Sequence, residues 1–286
     1  MKKLLCVCMV LAMILSAATA LASTPANRLE KIKADGKLII ATSPDYPPYE
    51  FLDLNGNPVG ADITFAQYIA DKLGVELVVQ PMTFDAVLAA IGTGSADLAI
   101  AGLTYKEERT ASMDFSDPYF NDGNQVIVIR KEDAETIKTL ADFKGKSVAA
   151  QNASLQQSLV SEQLKESTLA QITQIDEGIL LLKSKQADGI ALAAVVAEPL
   201  VANNPDLVIC ETTFDYAPAG ALVAVVKGEK ELLAAVNEAI AEVIGDDGLY
   251  VQWINDANAL NAQLASGTAP AAEATATPEA TATPKP

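Results

Sequence analysis

One arginine, several aromatic rings and a few acids between residues 45 and 120 are the groups best suited to binding chemistry in this sequence. The strings DYPPYEF, AGLTYKEER and DFSDPYF all lie there. Arg109 follows Thr104 by five residues in a polar loop, so a guanidinium and a hydroxyl can grip one carboxylate. The structural alternative is an ion pair of Arg109 with Glu107 or Glu108 on a solvated turn. The stretch predicts a site for a small anionic or zwitterionic solute.

Two prolines set the geometry of the first string. Pro47 and Pro48 restrict their φ angles and so hold Tyr46 and Tyr49 in place, which lowers the ordering cost of binding a ligand. Glu50 follows directly. In a pocket its carboxylate could receive an ammonium or guanidinium group, whereas on a solvated turn it would bind nothing. Both interpretations fit the sequence.

Composition excludes several classes of function. The chain of 286 residues contains no histidine, which removes Ser-His-Asp and Cys-His catalysis and the commonest zinc ligand. We therefore expect no catalytic residue, no metal site and no cofactor. With 37 acidic against 20 basic residues and a net charge of −17, binding to nucleic acid is disfavoured, because such binding depends on Lys and Arg neutralising phosphates.

Both ends of the chain differ in composition from the rest. Residues 1–22 combine two lysines, a short apolar run and a small-x-small cleavage signature, which predicts a secretory signal peptide. Cys6 and Cys8 lie within it but not at the cleavage point, so we expect no lipid anchor, and Cys210 alone cannot form an internal disulfide. Residues 266–286 lack large apolar side chains, which predicts a disordered tail. A spacer or glycosylated stalk is the alternative for this tail.

Alternating strand and helix patterns predict an α/β fold with largely parallel sheets. Turn formers at residues 121–123 and 217–220 predict two lobes joined by two chain crossovers, with residues 28–121 plus 221–261 in the first lobe and residues 122–220 in the second. The predicted strands are 37–41, 75–80, 97–101, 125–129, 147–151, 171–175, 188–192 and 221–226. The predicted helices are 63–73 with Asp62 as its cap, 84–91, 155–166, 176–185, 231–244 and 249–255, with a short helical turn at 106–110.

From about residue 29 to residue 261 the chain resembles the family-three extracellular solute-binding proteins, the polar-amino-acid receptors of ABC importers. The strings that carry the resemblance are YPPYEF with NGNPVGAD, FDAVLAAIGTGSADLAIAGLTYKEER, DFSDPYF, FKGKSVAAQNAS and GDDGLYVQW. It implies a type II periplasmic-binding-protein fold, a venus flytrap with two lobes that close on one ligand at the hinge. It also implies a monomeric, non-enzymatic receptor, periplasmic or extracellular, that delivers a polar amino acid or related small carboxylate to a membrane permease. A dehydratase of the cyclohexadienyl type and a sensory domain are the alternatives.

The resemblance also assigns roles to individual residues. Gly102 matches a position that contacts the ligand carboxylate, where a glycine allows close backbone approach. Tyr46 matches an aromatic lid over the ligand and Phe84 the opposing ring, although Phe84 also fits the core side of its helix. Ser154 lies at a helix start where the resemblance places a contact from the second lobe, and it also fits a plain N-cap.

One departure from the family pattern affects the ligand. Many members carry an acid five residues after the aspartate that corresponds to Asp188, and that acid holds the α-ammonium group of the ligand. The residue here is Ala193. Because a buried ammonium without a partner is costly, either Glu50 or another acid replaces it, or the ligand is not a standard α-amino acid. The sequence leaves this choice open.

Overall fold

The computed structural model describes residues 25–244 and 248–268. The helices are α1 (Arg28–Asp35), α2 (Ala61–Leu73), α3 (Phe84–Thr93), α4 (Leu155–Gln163), α5 (Ile175–Lys183), α6 (Ala194–Asn203), α7 (Lys230–Val243) and α8 (Leu249–Ser266). The strands are β1 (Lys37–Thr42), β2 (Phe51–Leu52), β3 (Pro58–Val59), β4 (Glu76–Pro81), β5 (Leu98–Ala99), β6 (Met113–Phe115), β7 (Gln125–Arg130), β8 (Ser147–Gln151), β9 (Thr168–Ile172), β10 (Gly189–Ala193), β11 (Leu207–Thr213) and β12 (Ala224–Val226). Glu107–Ala111 forms a 3₁₀ helix.

Two five-stranded sheets define a first and a second lobe. The strand order is β4-β1-β5-β12-β6 in the first sheet and β11-β7-β10-β8-β9 in the second. Strand β1 runs parallel to β4 and β5, and β12 runs antiparallel to β5 and β6. In the second sheet β8 is parallel to β9 and β10, and β7 is antiparallel to β10 and β11. The two-lobed α/β fold is confirmed. The prediction of largely parallel sheets was wrong, because β7 and β12 each run antiparallel to both neighbouring strands. The chain reaches each of these two strands from the other lobe and not through a helical crossover within the same sheet.

The chain leaves the first sheet after β6 and returns at β12, and the two connections pair with each other. The Ala221 N–H donates to the Phe120 carbonyl at 2.8 Å, and the Tyr119 N–H donates to the Ala221 carbonyl at 2.9 Å. Gly220 has a φ angle of 80°, and a Cβ there would lie 2.7 Å from the Phe120 carbonyl oxygen. Glycine is therefore required where the connections meet. Residues 121–123 lie on the connection between β6 and β7, and residues 217–220 lie on the connection between β11 and β12.

Helix α2 begins differently from the prediction. Gly60, with a φ angle of 126°, is the N-cap, and Asp62 is already a helical residue, so its prediction as the cap was wrong. A Cβ on Gly60 would lie 2.3 Å from the Tyr49 carbonyl oxygen, which explains the glycine. The Asp62 side chain instead accepts hydrogen bonds from the Gly102 N–H and the Tyr250 hydroxyl. The Asp62 carboxylate thus connects helix α2 with Gly102 and Tyr250.

Four segments of the second lobe also differ from the prediction. The strand expected at 171–175 is β9 (Thr168–Ile172), because Ile175 already begins a helix. Helix α4 ends at Gln163 rather than at residue 166. Helix α6 and strand β11 were not predicted, since α6 contains Pro199 and follows a buried strand without an intervening turn.

The last described helix is longer than expected. Helix α8 runs to Ser266, and the Gly267 N–H caps it by donating to the Gln263 and Leu264 carbonyls. The tail therefore does not begin at residue 266 as predicted, because the alanine- and leucine-containing segment before Gly267 is a good helix former. Residues 269–286 and the predicted signal peptide lie outside the described residues.

Apolar side chains fill the space between sheets and helices in both lobes. Ile40, Leu98 and Val225 of the first sheet and Val128 and Ile190 of the second are fully buried. Burial of such side chains is the main favourable contribution to folding. Within residues 25–244 and 248–268, no helix is both long enough and apolar enough to span a bilayer.

Candidate functional site

A pocket lined by residues of both lobes has an empty volume of about 350 Å³, which includes space open to solvent. Its lining consists of Ser43, Asp45, Tyr46, Glu50, Phe84, Ala101, Gly102, Thr104, Arg109, Gln151, Ser154, Leu155 and Gln156. The structure thus brings together all the residues predicted to bind ligand: Arg109, Thr104, Gly102, Tyr46, Phe84, Ser154 and Glu50. In the part of the chain that is described, no group of three histidine, cysteine or acidic residues is arranged to hold a metal ion.

Arg109 is buried in the pocket wall and contacts both lobes. Its Nη1 donates to the Thr104 carbonyl and its Nη2 to the Ala153 carbonyl of the second lobe, each at 2.7 Å. Glu108 pairs with Lys106 instead, so the solvated ion pair considered as the alternative does not form. Burial lowers the pKa of Arg109 to about 10, which keeps the guanidinium charged at neutral pH. Its charge is available to an anion in the pocket.

Gly102 lines the pocket, but its backbone N–H is already engaged. It donates to Asp62 Oδ2 at 2.8 Å. A Cβ at Gly102, whose φ angle is 51°, would lie 3.0 Å from a ring carbon of Tyr49 and 3.2 Å from one of Tyr46. The close approach that requires glycine is therefore made by these two rings. Thr104 is buried beside it and orients Arg109 through its carbonyl group.

The aromatic residues of the pocket have different partners. Tyr46 stacks on Tyr49 with ring centroids 6.0 Å apart, and its hydroxyl accepts a hydrogen bond from the Ala193 N–H at 3.1 Å. Phe84 lies with its ring centroid 5.7 Å from the guanidinium carbon of Arg109, within range of a cation–π interaction. Phe84 also belongs to a buried apolar cluster of the first lobe that includes Val87, so both of its expected roles are compatible with its position.

Glu50 is fully buried, which excludes the solvated turn considered for it. Neither of its carboxylate oxygens has a hydrogen-bond donor among the residues that the structure describes, whereas Asp62 has donors from Gly102, Tyr119 and Tyr250. Burial raises the pKa of Glu50 well above its usual range, and the charges of Asp62 and Asp45 raise it further. A cation entering the pocket would remove this penalty by pairing with Glu50.

Ser154 is the N-cap of α4. Its Oγ accepts a hydrogen bond from the Gln157 N–H at 3.0 Å, and the residue lines the pocket. The start of a helix favours anions because its first N–H groups lack intrahelical partners. Gln156, the second residue of α4, donates from Nε2 to Gln125 Oε1 at 2.7 Å and to the Tyr46 hydroxyl at 3.3 Å.

Asp45 connects the lobes directly, which the sequence analysis did not predict. Its Oδ2 accepts hydrogen bonds from the Ile175 N–H at 2.8 Å and from Gln151 Nε2 at 3.0 Å, both in the second lobe. Its Oδ1 accepts one from Ser43. Burial raises the pKa of Asp45, and these hydrogen bonds offset part of the effect. The sequence feature that could have indicated a role for Asp45 is its position as an acid immediately before the YPPYEF string.

Several comparisons with known proteins agree with this architecture. Residues 38–256 match the model of the bacterial extracellular solute-binding proteins, family 3. The chain is 32% identical to the L-cystine-binding protein TcyJ of Escherichia coli strain K12, over 77% of this chain and 82% of that protein. It is also 32% identical over 124 residues to the cyclohexadienyl dehydratase of Pseudomonas aeruginosa, an alignment that covers 43% of this chain and 46% of the enzyme.

Among solved structures, similarity extends over nearly the whole of the related protein. The amino acid ABC transporter substrate-binding protein AbpA of Streptococcus pneumoniae, solved bound to L-arginine, superposes with a TM-score of 0.77 at 37% identity. The superposition covers 80% of this chain and 98% of AbpA. The family match and the fold agree with the resemblance inferred from the sequence strings. The chain belongs to the bacterial extracellular solute-binding proteins, family 3.

Proposed function

We propose that this protein binds an α-amino acid with a cationic side chain, of the arginine type, between its lobes, and passes it to an ABC permease. The observation that carries the proposal is the charge arrangement in one pocket: a buried guanidinium, Arg109, and a fully buried carboxyl group, Glu50, that has no donor among the described residues. A ligand with a carboxylate and a cationic end supplies a partner for each. The AbpA structure bound to L-arginine supports the same ligand class.

Arg109 is the proposed partner of the ligand carboxylate. Its Nη atoms are fixed by the Thr104 and Ala153 carbonyls, so the guanidinium is preorganised and little side-chain entropy is lost on binding. Ser154 and the start of α4 face the same pocket from the second lobe. The anion is thereby contacted from both lobes.

Glu50 is the proposed partner of the ligand side chain. A guanidinium offers several donors to a carboxylate and forms stronger hydrogen bonds than a neutral amide does. Tyr46 and Phe84 would cover the aliphatic part of such a ligand. Gly102 contributes by letting the rings of Tyr46 and Tyr49 pack closely beneath the site.

The proposed transport role needs the lobes to open and close around the ligand. Arg109, Asp45 and Tyr46 of the first lobe all form hydrogen bonds to the second lobe across the pocket. Ligand contacts from both lobes would favour this arrangement over an open one. We further propose that the protein works as a monomer outside the cytoplasmic membrane, with residues 28–121 plus 221–261 and residues 122–220 as its moving units.

A dehydratase-like activity is the second candidate, favoured by one observation. The raised pKa of Glu50 is what a general acid in a closed pocket requires, and a dehydratase is among the relatives. A non-enzymatic receptor explains the same residue through ligand charge, and we propose that this chain catalyses no reaction. Turnover of prephenate or arogenate by the purified protein would reverse that assignment.

A thermal-shift screen tests the proposal, because a ligand that binds only the folded state raises the melting temperature. The protein without residues 1–22 would first be unfolded and refolded to remove any co-purified ligand. L-Arginine, L-lysine and L-ornithine should raise the melting temperature, whereas L-glutamate should not. Stabilisation by L-cystine or L-glutamate alone would contradict a basic ligand, and stabilisation by none of these would contradict an amino-acid receptor.

A further inference from the structure

The carboxylate of Asp122 lies on the connection between β6 and β7 and is 2% exposed. Its Oδ2 accepts a hydrogen bond from Gln125 Nε2 at 3.1 Å. Its Oδ1 is buried and has no hydrogen-bond partner among the residues that the structure describes. Burying a carboxylate with so few donors is unfavourable unless a cation completes its environment.

No cationic side chain of the described residues stabilises this carboxylate. Burial raises the pKa of Asp122 to about 6, and only its own backbone N–H and Gln125 oppose the shift. Glu50 precedes β2 in the first lobe, whereas Asp122 lies on the connection before β7, so they are separate positions for positive charge. A basic α-amino acid carries two such charges.

Asp122 lies beside the position where the resemblance leads one to expect an acid. Strand pairing sets Gln125 opposite Ala193, and the Val195 N–H donates to the Asp122 carbonyl at 3.4 Å. The Tyr46 hydroxyl accepts a hydrogen bond from the Ala193 N–H. Among the charges that raise the pKa of Tyr46, that of Asp122 ranks first, ahead of Glu50 and Asp45. The charge of Asp122 therefore acts on Tyr46, whose hydroxyl is bonded to the Ala193 N–H.

A short chain of polar groups leads from the pocket to Asp122. Gln156 lines the pocket and donates to Gln125, and Gln125 donates to Asp122. An ammonium group that takes the place of the Gln156 amide would meet the oxygens of Gln125 and of the Tyr46 hydroxyl. The carboxylate behind them would provide the compensating charge.

We propose that Asp122 supplies the carboxylate for the ligand's α-ammonium group, in place of the acid that Ala193 lacks. The inference rests on the proposed function, because it requires an amino-acid ligand. It makes the connection between the lobes part of the binding site. The positive charge of the ligand's α-ammonium group would then act on the connection between β6 and β7, which joins the two lobes.

The test compares L-arginine with the analogue in which hydrogen replaces the α-amino group, titrated calorimetrically at neutral pH into the refolded protein. The wild type should prefer L-arginine by at least about tenfold, the order expected for a buried charged hydrogen bond. Asp122→Asn should lower the affinity for L-arginine by a similar factor and change that for the analogue by less than about threefold. The control, Asp117→Asn, removes the charge of an exposed acid on the same connection and should change neither affinity.

A second readout separates binding from folding. Ligand-free Asp122→Asn should melt at a higher temperature than the wild type, since it removes a buried charge and keeps the acceptor for Gln125. A lower melting temperature would show that Asp122 is structural and would overturn the inference. Equal losses for both ligands, no loss for either, or a wild type that does not distinguish them would also overturn it while leaving the receptor intact. A wild type that binds neither ligand would contradict the proposed function itself.

Discussion

At the scale of single residues, the pocket and the connection beside it contain buried ionisable groups that lack charged partners among the described residues. Arg109 is held by two backbone carbonyls and forms no ion pair among the described residues, while Glu50 and Asp122 have buried oxygens without donors. A protein selected only for stability would pair or remove such groups, because each is costly when buried alone. Their arrangement is explained if a ligand with one negative and two positive groups completes them.

Replacing Arg109 by Ala should weaken binding of L-arginine by about 2 kcal/mol or more, because the ligand carboxylate loses a buried charged partner. Calorimetric titration measures the change. Lys131→Ala, which removes an exposed cation of the second lobe, is the matched control and should bind as the wild type does. An unchanged affinity in Arg109→Ala would remove this residue from the site.

Glu50 should set the preference for a charged ligand side chain. L-Citrulline has nearly the shape of L-arginine but no side-chain charge, so the wild type should bind L-arginine at least about tenfold more tightly. Glu50→Gln should reduce this preference to about threefold or less, whereas Glu162→Gln, an exposed change on α4, should preserve it. If Glu50→Gln kept the full preference, the cation would have to bind elsewhere.

The pKa of Asp122 predicts a pH dependence of stability. The ordinary pKa of 3.8 in the unfolded chain rises to about 6 in the fold, so between these values the folded state binds more protons. Its contribution to stability is therefore greatest below pH 3.8 and is lost as pH rises through 6, a difference of about 3 kcal/mol. In urea unfolding without ligand, Asp122→Asn should be more stable than the wild type at pH 7 and similar to it near pH 4. A variant less stable than the wild type at pH 7 would contradict this account.

At the scale of elements, Asp45 of one lobe caps α5 of the other. Gln174, the N-cap residue of α5, makes no side-chain capping hydrogen bond, and the Ile175 N–H is bonded by Asp45 instead. An N-cap is worth about 1 kcal/mol, and here that free energy is gained only while the lobes are together. This contact should stabilise the closed arrangement without ligand.

Replacing Asp45 by Ala should therefore reduce the ratio of closed to open molecules about fivefold in the ligand-free protein. Small-angle scattering should show a larger radius of gyration. Asp176→Ala is the matched control, since it removes an exposed acid from the first turn of the same helix but leaves the contact with Asp45 in place. Identical scattering of Asp45→Ala and the wild type would show that the contact does not affect closure.

Local sequence patterns predicted most of the longer strands and helices, although α1, α6 and β11 were missed. Residue type and spacing indicated Arg109 with Thr104, whereas the expected roles of Tyr46 and Phe84 came from the resemblance to the family. Strand β9 was displaced because TLAQITQI mixes apolar and polar residues without strict alternation, so the string does not fix where the strand begins and ends.

Contacts between distant segments could not be predicted from the sequence. Asp45 and Ile175 are 130 residues apart, and only the closed arrangement brings them together. Asp122 was interpreted as a turn former, since its position beside Ala193 depends on the antiparallel pairing of β7 with β10. Glu50 is likewise fully buried only in the fold, where Asp62 lies close enough for its charge to raise the pKa of Glu50.

At the scale of the whole molecule, two paired connections join lobes that share one pocket. Hydrogen bonds from Asp45, Tyr46 and Arg109 cross between the lobes, so each lobe completes the binding surface of the other. A ligand bound by both lobes shifts the population toward the closed arrangement by its difference in affinity for the two states. Delivery to a permease would then depend on recognition of the closed, ligand-bound form.

The most direct test of this account is a calorimetric titration of the refolded protein with L-arginine at neutral pH. We predict saturable binding at one site per chain with a dissociation constant in the micromolar range or tighter, on the order of −8 kcal/mol. No saturable binding of L-arginine at millimolar concentration would contradict the central claim that the pocket of Arg109 and Glu50 receives a basic amino acid.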